Sequence, residues 1–136
     1  MIYALVAIGI ALTACNQKKK LEDGLFKEVM DIHDEVMPEM GTLRSMSKSI
    51  QVQIDSLGAD STYQDTSQRK RLEEIVEKLK KANESMMEWM RQFEHVEEGT
   101  PHGEVMKYLK EQKRMIEKVR DDMLEARKEG EYYLDK

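Results

Sequence analysis

Methionine and histidine are the residues whose types and spacing could carry chemistry in this chain. On a helix turning about 100° per residue, Met30, His33, Met37 and Met40 fall within an arc of about 80°. Met86, Met87, Trp89 and Met90 form a second group, and His102 with Met106 a third. Thioether sulfur and imidazole nitrogen suit a soft ion such as Cu(I) or Ag(I). If the segments carrying these groups pack side by side, His33, Met37, Met90 and Met106 meet at one end, and Trp89 could cap the ion by cation–π contact. A Met–His pair from the same set would also serve as loose haem ligands. The plainer role is packing. Methionine is a flexible core filler and a good helix former. Met40, Met46, Met86 and Met123 stand where a helical bundle needs apolar volume, and His95 lies about 180° from Met86 on a shared helix, facing water. The expectation is therefore packing and no cofactor, with copper as the alternative.

Other catalytic signatures are absent from the sequence. There is no Gly-rich phosphate loop, no Gly-x-Ser-x-Gly and no His-Glu-x-x-His. Without a Glu-x-x-His pair, a ferritin-like di-iron centre lacks its motif. His33-Asp34 is a His-Asp dipeptide without the further His and Asp ligands that a phosphohydrolase of that type needs. The carboxylates fall on polar helix faces and read as solvated charge, so the chain is not expected to be an enzyme.

Cys15 is the sole cysteine, which excludes an intramolecular disulfide and any Cys-cluster metal site. Ahead of it, Ile2 to Ala14 form an uncharged, mostly apolar run. The run is short of the roughly 20 residues that span a bilayer and suits the h-region of a signal peptide. It ends Leu12-Thr13-Ala14-Cys15, which resembles the lipobox of bacterial lipoproteins: an aliphatic residue, two small ones and the cysteine that is acylated. That resemblance implies removal of residues 1–14 and lipidation of Cys15, since several acyl chains anchor far better than one. It also implies an envelope location, lipid-anchored in the outer membrane facing the periplasm or at the cell surface, because Asn16 stands where an inner-membrane retention signal has aspartate. No Lys or Arg precedes the run, which points to further residues upstream. Residues 15–20, with Lys18, Lys19 and Lys20, read as a solvated tether, roughly 20 Å long when extended.

The body must then position whatever the anchor holds. From Leu21 the apolar positions are Leu25, Val29, Ile32, Val36, Met40, Leu43, Met46, Ile50, Ile54 and Leu57, a helical stripe that stops at Gly58. Pro38 lies inside it, yet the stripe keeps its phase, so a kinked but continuous helix is expected. Ser61 to Gln64 matches a capping box ahead of a second stripe, Leu72, Ile75, Leu79, Ala82, Met86, Trp89, Phe93 and Val96, with heptad spacing. The polar stretch Thr62 to Arg71 between them lacks core residues. Gly99 ends the second helix, and Pro101 opens a third. Its stripe runs Val105, Leu109, Gln112, Ile116, Val119, Met123, Ala126, Gly130 and Tyr133, with Gln112 and Gly130 as weak places. The reading is all-α: an elongated, antiparallel up-down-up three-helix bundle over 21–136, with helices at about 22–57, 62–98 and 101–134.

Composition agrees with long solvated helices. Charged residues make up 36% of the 136, aromatic residues 6%, and only two are proline. The net charge of −5 makes nucleic acid a poor partner. The expected function is a non-enzymatic, methionine-rich lipoprotein, attached to membrane through lipid and acting by contact with an unidentified protein. Heptad seams would also allow a homo-oligomer. The alternatives are a Cu(I)- or Ag(I)-binding periplasmic lipoprotein, and a holdase-like chaperone gripping unfolded chains with exposed methionines.

Overall fold

A computed structural model describes residues 2–59 and 66–134, with side chains from residue 16 onward except at 59. Among the described residues there are four helices: α1 (Ile2–Val36), α2 (Glu39–Ala59), α3 (Thr66–Gln92) and α4 (His102–Leu134). All regular secondary structure in these residues is helical, and the helices pack together around one apolar core. The capping box at Ser61 to Gln64 lies outside the described residues.

The segment read as a solvated tether is helical, with residues 16–20 exposed. Residues 15–20 continue α1 without a break. Asn16 to Lys20 contain neither glycine nor proline, lysine and glutamine are good helix formers, and Lys19 bonds Asp23 one turn on at 3.0 Å.

The expected continuous helix at 22–57 is divided at Met37–Pro38. Met37 N–H still bonds His33 C=O at 2.8 Å, closing α1. Pro38 has no N–H to donate, and Met40 N–H turns to Met37 C=O at 3.2 Å, a tighter three-residue step. The stripe nevertheless holds its phase, with Val36 and Leu43 both fully buried. The break redistributes packing: α1 lies mainly against α4, whereas α2 lies against α3 and α4.

Side-chain size explains that split. Where α2, α3 and α4 meet, Ser47, Ala82, Ala126 and Gly130 are buried and let the helices approach closely. A Cβ on Gly130 would stand 3.2 Å from Met46 Sδ and 3.5 Å from Leu79. At the other end α1 keeps farther from α3, and the rings of Phe26, His33, Trp89 and Phe93 fill the wider gap. Between the ends, Leu43, Ile50, Leu72, Leu79, Met86, Ile116 and Met123 are the large, fully enclosed side chains.

Ion pairs record the register between helices. Along α4, His102 pairs with Glu22, Lys113 with Glu28 and Arg127 with Glu39, so partners on α1 and α2 advance with residue number. Along α3 the order reverses: Lys78 pairs with Glu129, while Glu94, just past the helix, bonds Tyr108.

The second predicted helix also ends early. It was expected to reach residue 98, but α3 stops at Gln92. The Tyr108 hydroxyl accepts the Glu94 N–H at 2.8 Å and donates to Glu94 C=O at 2.9 Å. That capture from α4 occupies backbone groups that a continuing helix would use. Gly99, at φ +92°, then turns the chain. Thr100 closes the turn on Glu97 C=O through both its N–H and its hydroxyl, and α4 begins as expected behind Pro101.

Candidate functional site

The aromatic end of the bundle gathers most of the residues with chemical potential. Trp89 on α3 is buried, and its indole meets the His33 ring at 5.6 Å and Phe93 at 4.9 Å between centroids. Phe93 in turn meets Phe26 at 6.2 Å and Tyr108 at 6.2 Å, and His95 sets its ring edge-on to Phe26 at 5.5 Å. The rings thus form a connected path from the core to the surface. This spacing is favourable for aromatic contact and contributes beyond area alone.

Each hydrogen-bonded histidine faces a carboxylate. His33 Nδ1 lies 2.8 Å from Asp34 Oδ1, next to it in sequence, and His102 Nδ1 lies 2.7 Å from Glu22 Oε1 across the α1–α4 contact. His102 opens α4, so this pair fixes the start of that helix against α1. Lys19 is held above the usual lysine pKa, chiefly by its hydrogen bond and attraction to Asp23, with Glu22 and Glu98 adding to the field.

The four residues considered as a soft-metal set take separate positions. His33 stacks on Trp89. Met37 is 46% exposed at the α1–α2 break. Met90 packs against the core. Met106 borders a groove with Leu21, Leu25, Glu28 and Lys110, so its neighbours on α1 precede His33 by about 7 Å or more of helix rise. Among the described residues, no three of His, Cys, Asp and Glu stand where they could share a metal ion. Methionines otherwise follow their stripes: Met46, Met86 and Met123 are buried, while Met87 joins Met37 as exposed.

His95 is exposed, but not for the reason its helical phase suggested, because it lies beyond α3 in the turn. The side chain of Cys15 lies outside the described residues. Sequence reasoning missed the cluster of Phe26, Phe93, His95 and Tyr108 altogether. The available signal was the concentration of the few aromatic residues near positions facing one end of the bundle.

No protein-family profile matches this chain, and no curated protein or solved structure does. No helix among the described residues is long and apolar enough to cross a membrane.

Proposed function

We propose that this chain is a lipid-anchored helical-bundle protein of a bacterial cell envelope, acting by protein contact and not by turnover. The observation that carries the proposal is the sequence Leu12-Thr13-Ala14-Cys15 at the end of a short uncharged apolar run. Acylation of Cys15 would hold the start of α1 at a bilayer of the envelope, with the outer membrane or cell surface as the site. The bundle is an up-down-up arrangement in which α1 and α2 form one arm, α3 returns and α4 runs beside the first. The rising register along α4 and the reversed register along α3 support it, as do the heptad-spaced positions from Leu72 to Trp89, all buried. Burial of Met46, Met86 and Met123 gives these methionines a packing role in the core.

The test is expression of the full chain in a bacterium fed a clickable palmitate analogue. The parent should carry label and fractionate with membranes. Cys15→Ser should lose the label and leave the precursor unprocessed. Equal labelling and processing of both would overturn the anchor.

A further inference from the structure

Between α1 and the turn joining α3 to α4 lies a cleft of about 520 Å³. Its floor is apolar, made by Phe26, Phe93, Val96, Val105 and Leu109. Its rim is acidic, with Glu22, Asp23, Glu94, Glu97 and Glu98. Lys19 and His95 are the basic residues on the wall; Lys19 is already bonded to Asp23 at 3.0 Å, and His95 sets its ring against Phe26. Glu22 is engaged by His102. Glu94, Glu97 and Glu98 have no ion-pair partner among the described residues. The volume falls in the range of sites that enclose side chains or small ligands. The carboxylates do not converge on a point that three of them could share with a metal ion. Charge spread along a rim above aromatic faces matches a row of guanidinium groups, which pair with carboxylates and stack on rings.

We propose that this cleft docks an arginine-bearing segment of a partner protein, with an apolar side chain of the segment seated on Phe26 and Phe93 and its cations along Glu94, Glu97 and Glu98. This rests on the contact reading above and names the chemistry of the partner. Charge complementarity selects the occupant: an acidic segment or a nucleic acid would meet like charge on nearly every side.

The probe is a short fluorescent peptide alternating arginine and leucine, titrated into the full chain in a neutral detergent. Binding is read by polarisation and by emission of Trp89, the sole tryptophan, whose ring touches Phe93. Saturable one-to-one binding that weakens with salt is expected, whereas an aspartate–leucine peptide should not bind. Changing Glu94, Glu97 and Glu98 together to lysine should weaken binding about tenfold or more. The matched control, Glu74, Glu77 and Glu84 to lysine on exposed positions of α3, makes the same charge change and should leave binding within about twofold. The neutral triple, Glu94, Glu97 and Glu98 to glutamine, should also weaken it, which separates lost attraction from added repulsion. Absence of saturable binding, or equal losses in the cleft and control variants, overturns the proposal. Palmitate labelling of the same variants reads the anchor alone. Loss of binding by the wild-type cleft with labelling intact would therefore sink the cleft and leave the anchor standing.

Discussion

Gln112 shows how a single side chain can sit in the right place with the wrong chemistry. It holds a core position of α4, 7% exposed, and its Oε1 has no hydrogen-bond partner. A buried acceptor left unpaired is destabilising by about 1–3 kcal/mol, whereas methionine has the same reach and no such need. Gln112→Met should therefore raise stability by about 1 kcal/mol or more in chemical denaturation, with the slope of the transition unchanged. Met86 is the opposite case. It is fully enclosed, so Met86→Ala should lower stability by about 2–5 kcal/mol in the same measurement. The period of the sequence had marked both positions, and every position of the third stripe from Val105 to Gly130 is buried. What the period could not mark is which polar atom would find a partner, because that depends on neighbours distant in sequence. The approach of His33 to Trp89 was legible from the pairing of their helices, but not the ring contact in which it results.

At the scale of the element, the helices were legible wherever their stripes had deep cores and obscure where a tertiary contact decided the end. α4 begins and ends within a residue of its expected bounds, since Pro101 and its apolar spacing are local signals. The stop of α3 at Gln92 was not readable, because it depends on the hydroxyl of Tyr108 arriving from another helix. The helicity of residues 15–20 was readable from propensity, lysine and glutamine being good helix formers. Glycine gives a direct test of which backbone is constrained. Gly24 lies within α1 with nothing within 4 Å of an added Cβ, so Gly24→Ala should stabilise by about 0.5–1 kcal/mol. Gly99 also has open space around it, yet its φ of +92° disfavours any side chain, and Gly99→Ala should destabilise by about 1 kcal/mol or more. Thermal melts of the two variants should move in opposite directions although neither creates a clash.

Across the whole molecule, ion pairs differ in what they do. Lys27 with Asp31 and Lys118 with Asp122 are exposed pairs within one helix and contribute little. Arg127 is different, because it joins α4 to the first turn of α2. Its Nη1 lies 2.7 Å from Glu39 Oε1, and the other oxygen of that carboxylate is buried without a partner. Removing the guanidinium leaves a largely enclosed carboxylate uncompensated. Arg127→Met should cost about 1–2 kcal/mol, and Glu39→Gln in the same chain should restore part of it. A double-mutant cycle of the two checks the coupling, which should exceed that of the Lys27–Asp31 cycle.

The unbroken helix from Cys15 into the bundle has a mechanical consequence. A floppy leash lets its cargo roam and is indifferent to the addition of one residue. A helical stalk behaves as a threaded post. If Cys15 is fixed at a bilayer as proposed, the seven residues up to Glu22 lift the acidic rim by only about 10 Å, and the cleft would patrol a thin layer just above the headgroups. Each alanine inserted between Asn16 and Lys20 would raise that layer by about 1.5 Å and swing the mouth of the cleft by about 100° around the post. A partner embedded in the same membrane would then respond to insertions with the periodicity of a screw: lost at two residues, largely recovered at four, whereas a free-floating partner would not register the rotation.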